Sequence, residues 1–452
     1  MYRKIKHIHL VGVGGIGMSG IADLLHLHGY LVSGSDVTRN DSIKRLESFG
    51  VRIYLGHAAG NISGAELVVF SSAIGPSNPE LVAARDLAIP VITRAEMLVE
   101  LMRVKYGIAV AGAHGKTTTT SMVALILTRA GLDPTVVVGG RMDNFGGTNS
   151  RLGSGEFMVV EADESDGSFT RITPSISVIT NIDREHLDYY KDLKKLEEAF
   201  LTFANHVPFY GLTVYCEDDA TLGALSKRMP MRKVNYGFSD KARYRASGYT
   251  VHEEHTVCDL NVDGEKLKIQ LRVPGRHNVL NSLAALAVAD ELSIPRSGSI
   301  ESLSLFQGVQ RRFQKRGERN GVLFIDDYAH HPTEIMATLS TVRERYPCSK
   351  VRVVFQPHRY SRVEDLFDRF VASFDQCDGV AVTDIYAAGE QPIVGIDSTR
   401  IVEGLRRRGL ENSHYVSRPL EAVESLLMQS GLGDIIITLG AGDLPNVYKH
   451  LW

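Results

Sequence analysis

Two glycine-rich stretches of the chain carry the spacing of phosphate-binding loops. The first is Gly12-x-Gly14-Gly15-x-Gly17 in "HLVGVGGIGMSG", and the second is "GAHGKTTTT", running from Gly112 through Ala113, His114, Gly115, Lys116, Thr117 and Thr118. In such loops the backbone N–H groups and a helix N-terminus face an anion. A lysine then reaches the outer phosphates of a nucleotide, and a hydroxyl serves its Mg2+. The second loop is a shortened form of the usual motif, because Val110 stands where the opening glycine is expected. Its setting is nevertheless right, with the apolar run "GIAVAG" before it and the helical "SMVALILTRAG" after it. The run "FMVV" ends at Glu161, a carboxylate placed at a strand tip to help hold a nucleotide-bound cation. Asp163, Glu164 and Asp166, just beyond, read as a solvated acidic turn.

The first loop admits two readings. It follows a strand, opens a helix, and has Asp36 at about the distance the dinucleotide fingerprint requires. A nicotinamide-dependent dehydrogenase is one reading, and a loop for another phosphate ligand is the other. The second loop tips the balance, since hydride transfer has no use for an ATP cradle. Two cradles predict two phosphate-bearing ligands, one of them ATP, and hence a ligase or kinase.

Four apolar runs in the last third end in polar or glycine residues: "VLFIDDYAHHP", "KVRVVFQPHRYSR", "GVAVTDIYAAGE" and "DIIITLGAGD". Open α/β sheets bind ligands at the carboxyl ends of their strands. Asp327 and His330 fall at such a tip. Taken alone, His330 and His331 read as a satisfied surface pair.

The elements that must position these residues form three α/β blocks, each with short apolar runs alternating with helical stretches, the pattern of a parallel sheet. The blocks are expected at 1–104, 105–314 and 315–452: a Rossmann-like N-terminal domain, a central P-loop ATPase-like domain with a parallel sheet, and a C-terminal Rossmann-like domain. Residues 236–273 alternate in the manner of an antiparallel appendage, and "QRRFQKRGERNG" reads as a polar connection between blocks. A length of 452 residues suits about three domains of roughly 150 residues. Fifty basic and 53 acidic side chains give a net charge of −3, so no overall field recruits nucleic acid or a membrane surface. Cys216, Cys258, Cys348 and Cys377 lie far apart and read as reduced core thiols of a cytoplasmic protein. The N-terminal apolar run is broken by His7, His9 and glycines, which favours a buried strand over a signal peptide.

The motifs "GAHGKTTTT", "VEADESD", "NIDREHLD", "GRHNVLNSLAA", "RRFQ", "DDYAHHPTE" and "FQPHRYSR" occur here in the order in which they occur in the Mur ligases. The chain thus resembles this family of ATP-dependent, amino-acid-adding enzymes of peptidoglycan precursor synthesis along nearly its whole length. The segments "GVGGIGMSGIA" and "DDYAHHPTE" most resemble the branch that joins L-alanine to UDP-N-acetylmuramate, with the branch that recycles a tripeptide as the alternative. The resemblance implies ATP as co-substrate on the short loop, with Lys116 on its β- and γ-phosphates. It implies Mg2+ on Thr117 and Glu161, with His186 serving a second ion. Asn278 and Asn281 would reach the adenine and Arg312 the γ-phosphate. UDP would lie on Gly12 to Gly17, with Asp36, His57 and the Ser71-Ser72 turn near the uridine and Asn149 near the sugar acid. Asp327, His330, Arg359 and Arg362 would receive the amino acid, His330 being a candidate base. Two departures stand out: Ala113 replaces the usual threonine, and "AFLTFANHVPF" lacks the lysine that several relatives carbamylate.

Overall fold

The computed structural model describes residues 5–71, 73–103, 105–252 and 254–451. It contains three sheets. The first orders β1 (His7–Val11), β2 (Leu31–Asp36), β3 (Arg52–Leu55), β4 (Leu67–Phe70) and β5 (Val91–Thr93) as β3-β2-β1-β4-β5, and every pairing is parallel. The strand order reverses at β1, so the crevice for a ligand opens at Gly12.

The second sheet has ten strands: β6 (Tyr106–Ala111), β7 (Thr135–Met142), β8 (Thr148–Arg151), β9 (Phe157–Glu161), β10 (Ile176–Ile179), β11 (Leu212–Cys216), β12 (Lys233–Gly237), β13 (Tyr244–Val251), β14 (Thr256–Val262) and β15 (Glu265–Leu271). Their order is β15-β14-β13-β12-β11-β10-β6-β9-β7-β8. Here β6 lies between β10 and β9 and is parallel to both, so the Gly112 loop leaves the sheet where its winding reverses. The strands expected as an antiparallel appendage continue this sheet, β12 pairing parallel with β13 through Tyr236 and Tyr244.

The third sheet comprises β16 (Gln314–Arg319), β17 (Val322–Asp327), β18 (Val351–Phe355), β19 (Gly379–Val382), β20 (Ser413–Tyr415) and β21 (Ile435–Leu439), in the order β16-β17-β21-β18-β19-β20. The polar stretch expected to be a connection is its edge strand. β16 pairs antiparallel with β17, with a register shift between Lys315 and Gly317. A charged edge strand protects an open sheet from pairing with other chains.

Burial on both faces explains the unbroken apolar runs of the parallel strands. In the third sheet Ile325, Val353, Phe355 and Ile437 enter one core. Their neighbours Phe324, Val354 and Ile436 enter the core on the opposite face, as the two-residue period of a strand requires. Cys216, Cys258 and Cys377 are buried free thiols, whereas Cys348 is exposed.

The chain packs as two compact units. One comprises residues 1–248, 259–269 and 280–306, and the other comprises 249–258, 270–279 and 307–452. Within the first, the N-terminal sheet is braced to the central one. Asn149, at β8, donates to Ile16 O and to Ser19 Oγ, and accepts from Arg45 at 2.9 Å. Asp23 accepts from both Arg45 at 2.6 Å and Ser150 at 3.0 Å.

Candidate active site

The first cradle begins where β1 ends. Gly12 has φ +80°, a conformation that L side chains rarely adopt, and a Cβ there would stand 3.2 Å from that of Ser71. The helix Ile16–Leu27 follows, with Gly15 at its N-cap, no capping side chain and no acid in its first turn. Its first N–H groups are thereby left to an anion. Asp36 braces the loop, since Oδ2 accepts from Gly14 N at 2.9 Å, while Asn40 donates to Gly14 O at 2.9 Å. His57 Nδ1 lies 3.1 Å from Ser35 Oγ and 3.2 Å from the buried Glu80 carboxylate. Burial would raise the pKa of Glu80, but the His9 imidazole 3.8 Å away and hydrogen bonds from Ser35 and Asn61 hold it down at about 2. Ser71 closes over Gly12, and Ser72 lies outside the described residues. Asn149 is buried, its amide engaged in the brace between the two sheets.

The second cradle starts at the tip of β6. Gly112 has φ +130°, and a Cβ there would fall 2.1 Å from Thr180 Oγ1 and 3.0 Å from the backbone of Asn181. The shortened loop is thus pressed against the tip of β10. His114 is held there by Asn181, which accepts from its N–H at 2.8 Å and donates to its carbonyl at 2.9 Å. Gly115, at φ +81°, is the N-cap of the helix Lys116–Arg129 and comes within 2.6 Å of Asn281 Oδ1 at its missing Cβ. Lys116 Nζ donates to Gly112 O at 2.6 Å and to Glu164 Oε1 at 2.8 Å. Thr117 Oγ1 donates to Glu161 Oε2 at 2.8 Å, a carboxylate also bound by Gly139 N at 2.7 Å. His186, held at φ +57°, brings Nε2 to 3.8 Å from Glu164.

Glu164 corrects the reading of a solvated turn: it is 1% exposed and pairs with the loop lysine. Burial lifts its pKa to about 7 against the pull of Lys116, with Asp163 and Glu185 adding like charge. Burial acts on Lys116 in the opposite sense, but Glu164, Asp163 and Glu161 reverse it and keep the ammonium charged. These residues suit Mg2+, which takes oxygen donors. Thr117 and Glu161 already converge, and Glu164, Glu185 and His186 present ligand atoms within 4.8 Å of one another.

In the second unit, Asp327 ends β17 and accepts backbone N–H groups from Phe313 and Ala329, both at 2.8 Å. Burial pushes its pKa up to about 6, with Arg312 opposing. His330 Nδ1 turns to Glu334 Oε2 at 3.2 Å and to Tyr328 O at 3.1 Å. Arg312 pairs with the other Glu334 oxygen at 3.1 Å and lies over the Tyr328 ring. Arg359, at φ +69°, follows β18, and Arg362 Nη1 lies 3.2 Å from His358 Nδ1. The His358 ring stacks on Tyr386, and burial drives its pKa down to about 3, with His330 and Arg362 adding positive charge. His331 is a fully buried N-cap that accepts from Thr333 N, not half of a surface pair. Asn278 also lies in this unit, its amide donating to Pro274 O at 2.7 Å.

Sequence reasoning missed Glu164, Glu334 and His358. The signals were present: a second glutamate three residues after Glu161, an acid four residues after His330, and a histidine next to Arg359.

Three family models cover the chain in succession: "Mur ligase family, catalytic domain" at 7–106, "Mur ligase middle domain" at 110–289 and "Mur ligase, glutamate ligase domain" at 311–442. The chain is 51% identical to a UDP-N-acetylmuramate–L-alanine ligase of Sorangium cellulosum, covering 100% of this chain and 97% of that one. It is 52% identical to the enzyme of that name from Desulfosudis oleivorans, covering 99% and 98%. Among solved structures, a UDP-N-acetylmuramate–alanine ligase from Thermotoga maritima superposes with a TM-score of 0.85 at 31% identity, covering 99% and 98%. A murein peptide ligase from Psychrobacter arcticus shares the fold, with a TM-score of 0.74 at 23% identity over 99% and 98%.

Proposed function

The chain belongs to the Mur ligase family, and on that premise we infer how its residues divide the work of the reaction. It is an ATP-dependent ligase that joins L-alanine to UDP-N-acetylmuramate. The dehydrogenase reading of the first loop gives way to one in which that loop holds UDP.

A carboxylate is a poor electrophile, because its charge repels an amine and its oxygen leaves badly. The lactyl carboxylate of UDP-N-acetylmuramate therefore attacks the γ-phosphorus of ATP, ADP departs, and an acyl phosphate forms. The amine of L-alanine then attacks the acyl carbon, phosphate leaves, and the amide remains. Catalysis of this kind is positioning and charge neutralisation, with no covalent enzyme nucleophile. Lys116, charged and aimed along its loop, neutralises the outer phosphates, and Arg312 is assigned to the γ-phosphate. Mg2+, held by Thr117 and Glu161 with His186 serving a second ion, would neutralise phosphate charge. Glu164 carries the ligand-free charge of Lys116. His330 is a candidate to take the proton of the attacking amine, oriented by Glu334.

Residues 1–104 are assigned to the UDP-sugar, 105–314 to ATP and 315–452 to the amino acid. Arg359 and Arg362 grip the alanine carboxylate. Among the described residues no helix is long and apolar enough to cross a membrane, and we place the reaction in the cytoplasm with no nucleic-acid or membrane partner. The observation that carries this reading is the convergence of Lys116, Thr117, Glu161 and Glu164 on one shortened loop. UDP-N-acetylmuramate labelled with 18O in its carboxylate tests it. One labelled oxygen is expected in each released phosphate, and unlabelled phosphate would contradict the acyl-phosphate route.

A further inference from the structure

Arg94 links the two cradles, although it belongs to neither loop. It opens the helix Arg94–Met102, whose start is fixed by a capping box: Thr93 Oγ1 accepts from Glu96 N at 3.2 Å, and Glu96 accepts from Thr93 N at 2.8 Å. Arg171 pairs with Glu96 as well, so this turn is also tied to the central domain. The Arg94 side chain is only 19% exposed, and Nη2 meets Asp163 Oδ2 at 3.0 Å.

Its other guanidinium nitrogen stands against the first glycine loop. A Cβ on Gly17 would come within 2.9 Å of Nη1 and 3.4 Å of Cδ. The arginine is thus packed directly over the last glycine of the motif. The helix beneath has no acid in its first turn and no side chain on its N-terminal N–H groups. A guanidinium laid against the positive end of a helix adds positive charge to positive, so the arrangement calls for an anion. Asp163 supplies one such charge.

Resting on the reading that Gly12 to Gly17 hold UDP, we propose that Arg94 is a further binding residue for the diphosphate of the UDP-sugar, which takes the guanidinium over from Asp163. The planar fork of an arginine suits paired phosphate oxygens, and a diphosphate brings more charge than one carboxylate. The exchange has a consequence in the second cradle. Asp163 lies between Glu161, bound to Thr117, and Glu164, bound to Lys116. Releasing Asp163 from the guanidinium leaves its charge, still bonded by Ser165 N, less compensated beside the cation-binding carboxylates, so filling the first cradle strengthens cation binding at the second. By linkage the coupling is reciprocal.

Calorimetric titration of the full-length protein with UDP-N-acetylmuramate, and separately with UDP, tests this without turnover. Arg94→Gln is expected to weaken both ligands about tenfold or more, Arg94→Lys to weaken them less, and Asp163→Asn to leave affinity unchanged or to tighten it. A purely structural brace would make Arg94→Gln and Asp163→Asn weaken binding alike, and that result overturns the proposal. So does an Arg94→Gln protein that binds within twofold of wild type. A loss seen with UDP-N-acetylmuramate but not with UDP would move the contact to the lactyl carboxylate and overturn the diphosphate assignment. If Arg94→Gln does not fold, Asp163→Asn decides alone: equal or tighter binding supports the exchange, and tenfold weaker binding overturns it. A wild-type protein with no affinity for either ligand would instead refute the reading of the cradle itself.

Discussion

The two glycine loops share one grammar and differ in what surrounds them. Each leaves a parallel strand at a reversal of strand order, turns on a glycine of positive φ, and opens a helix without a capping side chain. Around Gly112 to Thr117 the neighbours are Lys116, Thr117, Glu161, Glu164 and His186, groups that can neutralise, coordinate or exchange charge. Around Gly12 to Gly17 the neighbours other than Arg94 are fixed: Asp36 holds the loop's own backbone, and Glu80 is locked by Ser35 and Asn61. Holding a phosphate takes a backbone cradle with one cation beside it, and reacting one requires several movable charges. Their buried glutamates show the same contrast, with Glu80 held at about 2 and Glu164 lifted to about 7.

The contrast can be broken most sharply at Lys116. Lys116→Ala is expected to lower phosphate release roughly a thousandfold, the upper range for removing one charge-stabilising donor, with UDP-N-acetylmuramate affinity within twofold of wild type by calorimetry. The two loops should also fail separately. Gly12→Ala forces an L residue to φ +80°, a cost of about 1–2 kcal/mol, and should raise KM for the UDP-sugar roughly tenfold with that for ATP little changed. Gly115→Ala, at φ +81°, should do the reverse.

Stability against pH separates the two glutamates. The folded pKa of Glu80 is depressed, so its contribution, up to ~3 kcal/mol, is present above pH 4.5 and lost as pH falls towards 2. Glu80→Gln should flatten that acid limb in a series of thermal melts. The folded pKa of Glu164 is raised, so the native state binds the extra proton, and stability falls as pH rises from 4.5 to about 7. Glu164→Gln should flatten that limb and leave the acid one in place. The smallest effect is expected from Thr93→Ala, which removes half of a capping box: ~1 kcal/mol of stability, read as a lower Tm, with a modest rise in KM for the UDP-sugar.

Both cradles were legible in the sequence because each is local: an apolar run, glycines at fixed offsets and a helix start lie within a few residues. The three sheets were legible for a related reason, since strands buried on both faces read as continuous apolar runs. Charge partners were hidden by distance along the chain. Glu164 meets a lysine 48 residues away and Arg94 an aspartate 69 residues away, and no spacing rule joins such pairs. The edge strand Gln314–Arg319 was hidden by its exposure, because a strand with no buried face carries no alternation and its charges read as a connection. His331 was misread because an imidazole capping a helix from inside the protein has the same letter as one in solvent.

The most direct test of the account is phosphate release from ATP and Mg2+ with one substrate omitted at a time. Release is expected only when UDP-N-acetylmuramate and L-alanine are both present. Release that is indifferent to the UDP-sugar, or that needs a tripeptide in place of alanine, would contradict it.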